Sequence, residues 1–357
     1  MSNLPKTRNE MFVELCPNQP AFRLQQIEQA LFDPQIDSWL KVSTLNQEQR
    51  QQLVEQHPWI SVQAISTQES QTKDSHKALL ELVDGLRIET VLMANKRGGW
   101  TICVSSQVGC AMQCQFCATG RLGLKRNLNL DEIVDQYRFW QNYLNQRSGL
   151  SSTINNLVVM GMGEPLLNYE NIRDALRVLI RSAELGATRI VVSTVGNLPG
   201  LERLLDDPDW PAVRLAISLH SADPELRKKL MPSSVPDFHK LLADWSRRYL
   251  QKHGNRRHHL TFEYLMLDGL NDSLDAAKLL AKYVNKIGRV KVNLISYNIT
   301  GETMDASSVE RIESFADELR SHGIDVTRRR SLGSDISAAC GQLAGKYPQL
   351  GSDPDCG

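Results

Sequence analysis

The first part of the chain combines apolar positions at helical spacing with polar positions between them. Within residues 11–56, the segment 22–31 repeats apolar side chains every three or four residues, and Pro34 ends it. Thr44 and Gln47 resemble a capping box ahead of a further helix. We therefore predict a separate helical module at the N-terminus.

Short strand-like runs follow the helical module. Apolar and β-branched residues dominate 59–65, 79–83 and 87–93. The Asp-Gly pair at 84–85 separates the last two runs and is a strong signal for a two-residue hairpin turn. Another strand is predicted at 100–105, after a Gly-Gly break. These runs predict a β-hairpin extension ahead of the main part of the chain.

The remainder of the chain alternates apolar strands with amphipathic helices. The predicted helices are 130–140, 172–179, 224–230, 238–249, 273–284 and 309–321, and the predicted strands are 157–160, 189–193, 213–218, 260–265, 290–294 and 324–327. This alternation is typical of a parallel sheet with covered faces. Because it gives about six units rather than eight, we predict an open or partial α/β barrel. Ligands then belong at the carboxyl ends of the strands.

Composition places the chain among ordinary globular proteins. It has 357 residues, 41% hydrophobic and 23% charged, with a formal net charge of zero. No apolar run reaches membrane-spanning length, and the N-terminus lacks the apolar centre of a signal peptide. The seven cysteines are clustered and odd in number, which does not suggest a secreted disulfide framework. We expect a cytoplasmic protein with reduced thiols.

Three local runs of the chain are basic even though the net charge is zero. They span residues 121–126, 247–257 and 328–330. Such runs either contact phosphate groups or form a solvated surface, and both interpretations stay open at this point.

Three of the cysteines lie within eight residues, as Cys110, Cys114 and Cys117. Thiolates are soft ligands that suit zinc, copper(I) and iron–sulfur clusters. A structural zinc site needs four ligands, and no fourth Cys or His follows at a finger-like spacing. Three thiolates on a four-iron cluster would leave one iron open for another molecule. An open cluster is therefore favoured, with a zinc site completed from elsewhere and three buried thiols as the alternatives.

Polar residues collect where the predicted strands end. The segments concerned are Gly163-Glu164, Ser193, Ser218-Leu219-His220 and Asn298. Each residue alone is most simply a satisfied structural group. Because successive strand ends share one edge of a parallel sheet, together they predict a small-ligand site.

Two further cysteines stand apart from the clustered three. Cys103 lies on the strand that leads to them, and Cys340 lies near the end of the chain. A buried cysteine usually packs as a small hydrophobic residue, whereas a pair of cytosolic cysteines can also perform covalent chemistry. The spacing of these two residues does not choose between the two roles.

Several separated motifs resemble one known family. The C-x3-C-x2-C spacing, with Phe116 before the last cysteine, resembles the cluster motif of radical S-adenosylmethionine (SAM) enzymes. The stretches 103–110, 160–168 and 335–343 resemble the RlmN/Cfr branch of that superfamily, and the resemblance covers roughly residues 20–346. It implies a partial (β/α)6 radical-SAM barrel with a small N-terminal helical domain and a β-hairpin extension.

The resemblance also implies a role for each candidate site residue. Cys110, Cys114 and Cys117 would hold a [4Fe-4S] cluster, with SAM bound to the fourth iron. The SAM-binding positions would be Gly163, Glu164, Ser193, Ser218, Leu219, His220 and Asn298. Cys340 would carry a methyl group that a SAM-derived radical activates, Cys103 would release the product through a transient disulfide, and Glu89 would be the proton acceptor.

The implied reaction is methylation of C2 of adenine 2503 in 23S ribosomal RNA, with adenine 37 of tRNAs as a further substrate. Residues 262–264 and 105–108 resemble the C2 branch more than the C8 branch, which confers antibiotic resistance. Methylation at C8 remains the first alternative, and a radical enzyme with a substrate other than RNA is another. A zinc-stapled RNA-binding protein without catalysis is an alternative from a different class.

The expected organisation follows from these assignments. Residues 1–58 form a helical accessory domain that binds RNA, 59–95 a β-hairpin extension, 96–346 the radical SAM core and 347–357 a polar tail. Expected partners are 23S rRNA, tRNA and an electron donor such as flavodoxin, with no membrane and a monomeric protein.

Overall fold

We analysed a computed structural model of the chain. The structure describes residues 4–17, 20, 22–96, 98–254, 260–300, 304–329 and 332–344. No helix in these ranges is both long and apolar enough to cross a membrane. The predicted polar tail lies outside the described residues.

Three helices form the N-terminal part, namely α1 (Arg8–Leu15), α2 (Phe22–Phe32) and α3 (Gln47–Gln56). They surround a small core that includes Phe12, Ile27 and Trp39. The predicted capping box at Thr44 and Gln47 is wrong by two residues. The helix is capped by Asn46, whose side chain accepts from the Gln49 amide at 2.8 Å, while Gln49 Oε1 accepts from the Asn46 amide.

The hairpin extension begins the main sheet. Strands β1 (Val62–Glu69), β2 (Ser75–Leu82), β3 (Arg87–Ala94) and β4 (Trp100–Val104) pair in antiparallel order. The predicted Asp-Gly turn joins β2 to β3, and Gly85 has a φ of 79°, which favours glycine because it has no Cβ. The last strand, β4, carries Cys103 and starts the parallel part of the sheet.

The alternating region forms the predicted partial barrel. Its further strands are β5 (Gln107–Cys110), β6 (Gly123–Asn127), β7 (Ile154–Val159), β8 (Ile190–Thr194), β9 (Arg214–Ser218), β10 (Leu260–Met266), β11 (Val290–Ser296) and β12 (Asp325–Arg329). Its helices are α4 (Leu130–Asn145), α5 (Tyr169–Ser182), α6 (Leu198–Asp206), α7 (Pro224–Leu230), α8 (Phe238–His253), α9 (Leu274–Asn285) and α10 (Val309–Ser321).

Within the described part of the chain, six helical connections join seven parallel strands, β4 and β7 to β12 in spatial order. β1 and β12 form the two edges of the sheet, so the barrel is open, as predicted. All seven strands end at one edge, because parallel strands joined by helices run in the same direction.

Two strands and one α-helix of the structure were not predicted from the sequence. Strands β5 and β6 form a separate antiparallel pair, and each is too short to show a clear alternation. Helix α6 contains a Pro-Gly pair that is usually a loop signal. Here Pro199 lies in the first turn, where it needs no partner for its nitrogen, and the Asn197 side chain accepts from the Gly200 amide at 2.8 Å.

Buried ion pairs join the N-terminal helices to the core. Arg8 of α1 donates to Asp131 and Asp135 of α4, and all three side chains are almost fully buried. Arg138 donates to Asp135 at 2.6 Å, and the Ser61 hydroxyl donates to the same carboxylate at 2.7 Å. These contacts fix the orientation of α1 relative to α4. The division into domains at residues 58 and 95 stays a prediction.

Candidate active site

One large cavity opens at the carboxyl ends of the parallel strands. Its empty space is about 1360 Å³, including space open to solvent. Five cysteines line it, and most of the predicted ligand residues do so as well. The predicted residues in its wall are Cys103, Cys110, Cys114, Cys117, Gly163, Glu164, Ser193, Ser218, His220 and Cys340.

The loop that carries the three clustered cysteines is held by backbone hydrogen bonds. Cys110 is the last residue of β5, and the Cys117 amide donates to the Cys114 carbonyl at 3.1 Å. Gln113 has a φ of 55°, which turns the loop between the first two cysteines. The Gln115 amide donates to the carbonyl of Leu230 at the end of α7, at 3.0 Å. The loop is therefore seated on a helix of the barrel.

The three sulfur atoms fit a cluster better than a single ion. Burial, and then the other two thiols of the set, raise the pKa of Cys114, and burial raises that of Cys110 to about 12. Among the described residues, no three His, Cys, Asp or Glu side chains surround a position for one metal ion. A [4Fe-4S] cluster does not require such convergence, because each thiolate binds a different iron. Cluster binding would displace the thiol protons, since the thiolate is the ligand.

The turn after β7 has no room for larger side chains. A Cβ on Gly161 would lie 2.7 Å from Ser105 Oγ, and one on Gly163 would lie 2.6 Å from the Gln107 side chain. Gly163 also has a φ of 104°, which favours glycine. The backbone of this turn therefore approaches both the β5 segment and the cavity closely.

Glu164 follows that turn and is 1% exposed. Its carboxylate accepts hydrogen bonds from the Thr194 hydroxyl at 2.6 Å and from the Val195 and Leu166 amides at 2.8 and 3.1 Å. Burial raises its pKa, although the three donors oppose this shift. The carboxylate is thus held in one orientation at the cavity wall, where it could accept from an amine.

Glu263 organises the strand ends beside Glu164. It lies on β10, directly opposite Ser218 on β9, and its Oε2 accepts from the Ser193 hydroxyl at 3.1 Å. Its backbone carbonyl accepts from the amides of Leu219 and His220 at 3.0 and 3.2 Å. Ser193, Ser218 and His220 reach the cavity, whereas Leu219 does not line it and packs in the core.

His220 faces the cavity as a neutral imidazole. Its Nδ1 accepts from the Leu265 amide at 3.0 Å, so the proton of the neutral ring is on Nε2. Burial, and then the nearby Arg227, lower its pKa to about 3. Phe116, between the second and third clustered cysteines, packs edge-on against the ring with centroids 4.8 Å apart.

Cys103 and Cys340 enter the same cavity from β4 and from the C-terminal loop. Burial, and then Cys340, raise the pKa of Cys103 to about 12, whereas Arg329 opposes this shift. Burial also raises the pKa of Cys340, again opposed by Arg329. Arg329 lines the cavity, and its Nη1 lies 3.6 Å from Oε1 of Glu263. The two thiols therefore share one cation and are protonated at neutral pH.

Asn298 contacts the loop of Cys340 and does not line the cavity. Its Nδ2 donates to the Cys340 carbonyl at 3.4 Å. The structure therefore brings Asn298 to the cysteine loop. Of the other predicted strand-end residues, all except Leu219 line the cavity.

Glu89 lies behind the cavity wall and is 2% exposed. Its Oε1 is 3.0 Å from Lys77 Nζ, and its Oε2 accepts from the Ala344 amide at 2.5 Å. The adjacent residue Leu343 lines the cavity, as does Met93 on the same strand as Glu89. The structure thus places Glu89 beside the site and in contact with the C-terminal segment.

Two residues of the site were not recognised from the sequence as site residues. Glu263 lies in an otherwise apolar run, 260–265, and a carboxylate in a strand that is buried on both faces is itself a signal of function. Arg329 was counted only as part of a basic run. The sequence spacing of these two residues does not indicate a role. Their shared position is visible only in the folded chain, where β10 and β12 bring them to the same cavity.

The basic runs are largely neutralised within the chain. Arg126 is 6% exposed and pairs with Glu132 and Asp84, so neither phosphate contact nor a solvated surface describes this member of the first run. Arg248 pairs with Glu202 and Asp244 on the surface. Similar acidic partners face Arg247 and Arg328, and residues 255–257 and 330 lie outside the described ranges.

Comparison with known proteins gives a consistent set of relatives. The family model of the radical SAM superfamily matches residues 104–273. The chain is 38% identical to the dual-specificity RNA methyltransferase RlmN of Oleidesulfovibrio alaskensis, over 99% of this chain and 98% of that protein. It is also 38% identical to the ribosomal RNA large subunit methyltransferase Cfr of Lachnoclostridium phytofermentans, over 92% of this chain and 94% of that protein.

A solved structure shares both the fold and the sequence. The crystal structure of a radical SAM methyltransferase from Sphaerobacter thermophilus superposes with a TM-score of 0.86 and is 36% identical. The match covers 96% of this chain and 98% of that one. The helical module, the hairpin extension and the partial barrel are therefore arranged as in that methyltransferase.

Proposed function

This chain belongs to the RlmN/Cfr family of radical SAM RNA methyltransferases, and on that basis we propose that it methylates C2 of adenine 2503 in 23S rRNA. Adenine 37 of tRNAs is the second proposed substrate. The observation that carries this proposal is the sharing of one cavity by two groups of cysteines. Three of these cysteines have cluster spacing, and the other two, Cys103 and Cys340, come from separate elements.

The cofactors of the enzyme are a [4Fe-4S] cluster and SAM. We propose that Cys110, Cys114 and Cys117 hold the cluster, because thiolates are the soft ligands that iron–sulfur clusters use and all three line the same cavity. When bound, the two cofactors would supply the methyl group and the radical that activates it. The remaining proposed SAM-binding residues are Gly163, Glu164, Ser193, Ser218 and His220, which line the cavity, together with Leu219 and Asn298, which do not.

Among these residues, Glu164 and His220 have the best-defined electrostatics. The Glu164 carboxylate is oriented by three donors and would accept from the ammonium group of SAM. His220 lines the cavity as a neutral ring that carries its proton on Nε2.

We propose that Cys340 carries the methyl group as a thioether and that this carbon, after losing one hydrogen atom, becomes bonded to the adenine carbon. The bound cofactors would take up that hydrogen atom and the one electron that the adduct must lose. The Cys103 thiolate then attacks the Cys340 sulfur, so that an S–S bond forms and the C–S bond breaks. The electron pair of the broken bond, together with a proton, completes the new methyl group. Glu89 is the proposed acceptor of the proton that the adenine carbon loses, and its contact with Ala344 keeps it beside the Cys340 loop.

The RNA partners imply a surface beyond the cavity. We propose that residues 1–58 help to bind RNA, since the buried ion pairs of Arg8 hold this part in a fixed place against the core. An electron donor such as flavodoxin would supply the reducing equivalents, and the enzyme would act as a monomer in the cytoplasm, where its RNA substrates are.

The decisive experiment is mass mapping of 23S rRNA and tRNA from cells with and without the gene. We expect the loss of a 2-methyladenine from 23S rRNA and from tRNA when the gene is deleted. Loss of an 8-methyladenine instead would assign the enzyme to the C8 reaction of Cfr. An unchanged RNA profile would exclude both RNA reactions and leave a radical enzyme with another substrate. In parallel, a purified protein with one zinc and no iron would contradict the cluster.

A further inference from the structure

Arg227 is a buried cation without an acidic partner. Its side chain, on α7, is 1% exposed, and no carboxylate lies within 4.0 Å of it among the described residues. The other deeply buried arginines among the described residues, Arg8, Arg126 and Arg138, differ because each pairs with an aspartate or a glutamate. A buried charge is costly unless another charge compensates it. The charge of Arg227 must therefore be compensated by something other than a neighbouring carboxylate.

The contacts of Arg227 are all neutral. Nη1 donates to Ser234 Oγ at 2.5 Å, and Nη2 donates to the carbonyls of Val195 and Ser218 at 2.7 and 3.2 Å. The guanidinium carbon lies 3.5 Å from the ring centroid of Phe238. The Nε atom is buried and has no hydrogen-bond partner within the described chain. These dipoles and the ring reduce the cost of the charge without neutralising it.

The helix of Arg227 contacts the loop of the three clustered cysteines. α7 ends at Leu230, whose carbonyl accepts from the Gln115 amide at 3.0 Å, and Gln115 follows Cys114 directly. Burial lowers the pKa of Arg227 to about 10, and the largest influence in the opposite direction is Cys114. The side chain is therefore charged at neutral pH. The thiol of Cys114 becomes a permanent anion only when it binds metal.

We propose that Arg227 is the internal counter-cation of the iron–sulfur cluster and that its charge favours the reduced state of that cluster. This inference rests on the proposed ligand set of Cys110, Cys114 and Cys117. Three thiolates bring negative charge into a buried site, and reduction of the cluster adds another negative charge. A fixed positive charge nearby stabilises the reduced state more than the oxidised state, and the low dielectric of the interior strengthens this effect.

The position of Arg227 argues against the two simpler roles for an arginine. It does not line the cavity, so it is not in contact with SAM or with the adenine. At 1% exposure it is closed to RNA phosphate groups. Its hydrogen bonds to Val195 and Ser218 do join the strand ends on two sides of the site. For this reason, a test must separate its charge from its hydrogen bonds.

The test compares Arg227→Met, which removes the charge, with Arg227→Lys, which retains it. Each anaerobically reconstituted protein is titrated with reductant, without SAM or RNA, and the reduced cluster is followed by electron paramagnetic resonance. At the potential where half of the wild-type cluster is reduced, we expect a tenth or less to be reduced in Arg227→Met. This is a tenfold change in the ratio of reduced to oxidised cluster, which corresponds to a reduction potential lower by about 59 mV for a one-electron couple. Arg227→Lys should stay within about threefold of wild type.

Two controls test whether a change in potential is specific to Arg227 and whether the cluster-free variant still folds. Arg248→Met removes an exposed, paired cation and should leave the potential unchanged. Urea unfolding of the cluster-free proteins measures separately what the loss of the hydrogen bonds to Ser234, Val195 and Ser218 costs in Arg227→Met, and we expect this protein still to fold. An unchanged potential, a cluster-free Arg227→Met protein that fails to fold, or cluster loss in both the Met and Lys variants would each overturn the proposal. The ligand set is tested separately by the iron content of Cys114→Ser.

Discussion

The backbone amide of Ala118 donates a hydrogen bond to the carbonyl of Gly341 at 2.8 Å. Ala118 directly follows Cys117, and Gly341 directly follows Cys340. The loop proposed to hold the cluster and the loop proposed to carry the methyl group are therefore joined next to their reactive cysteines. Because the bond is between backbone atoms, it fixes the two loops relative to each other whatever their side chains do.

A side-chain bond beside this contact allows the coupling to be tested. The hydroxyl of Thr119, which is 3% exposed, donates to the Leu343 carbonyl at 2.6 Å. Thr119→Val keeps the shape of the side chain but leaves the carbonyl without that donor, at a cost of about 1–3 kcal/mol. We expect methylation of Cys340, measured by mass spectrometry of the intact protein, to slow by about tenfold or more. Ser314→Ala removes a similar bond on exposed α10 and should not slow it.

The proposed division of labour between the two remaining cysteines predicts a trapped adduct. Cys103→Ala removes the nucleophile that releases the product, so the protein should accumulate in covalent linkage to RNA through Cys340. Denaturing gels after a single turnover would detect the adduct, and Cys340→Ala should abolish it. Cys16→Ala, which changes a buried thiol of the N-terminal core, is the matched control and should turn over normally. Normal turnover by Cys103→Ala would remove Cys103 from the mechanism.

The partial barrel could be predicted from the sequence because its elements have strong periodicity. The predicted helix at 224–230 and the one at 309–321 coincide with α7 and α10. The strand run at 290–294 lies inside β11, which extends two residues further. Apolar strands and amphipathic helices carry this information locally, so no tertiary contact was needed to find them.

The electrostatic partners in the site could not be predicted in the same way. Glu263 and Arg329 are 66 positions apart in the numbering and meet only because β11 pairs with both β10 and β12. Similarly, Arg126 belongs to a basic run but is buried against Glu132. Charge along the sequence does not reveal which charges are paired, because pairing depends on the packing of elements that are distant in the chain.

The buried network between α1 and α4 predicts a difference between two neighbouring aspartates. The pKa of Asp135 is lowered below its ordinary value of 3.8, because Arg8 and Arg138 outweigh the effect of burial. The pKa of Asp131 is raised, because burial and the neighbouring Asp135 together outweigh Arg8 and His57. Asp135→Asn should therefore lower the free energy of unfolding by about 3–5 kcal/mol, and Asp131→Asn should lower it less. Urea titrations at pH 7 would measure both.

The lowered pKa of Asp135 determines the direction in which stability changes with pH. A carboxylate whose pKa is lowered in the folded protein contributes stability above its unfolded pKa and loses it as the pH falls through the folded pKa. The stability due to Asp135 should hence decline below about pH 3.8, and Asp135→Asn should flatten this decline. Limited proteolysis should also cleave α1 faster in this variant. Equal losses of stability for the two aspartates would contradict the assignment.

The cation and the carboxylate beside Cys103 should have opposite effects on product release. Cys103 faces Cys340, Arg329 and Glu263, and its pKa is raised to about 12 by burial first and then by Cys340. Arg329 lowers this pKa and Glu263 raises it. Below the pKa, the thiolate fraction rises tenfold for each pH unit, so release should accelerate with pH across the range 7–9. Arg329→Gln should make release about tenfold slower, which corresponds to one pKa unit.

Glu263→Gln is the matched variant, because it removes the opposing charge from the same pair. We expect it to release the product faster than wild type at a given pH, since the Cys103 thiolate becomes easier to form. Both rates are the decay of the covalent RNA adduct in quenched single-turnover reactions, which excludes effects on SAM binding that precede the adduct. Arg329→Lys should restore most of the wild-type rate, because it retains the charge. An equal decrease in the release rate for Arg329→Gln and Glu263→Gln would contradict this prediction. It would mean that the pair only supports the cavity wall and does not adjust the pKa of Cys103.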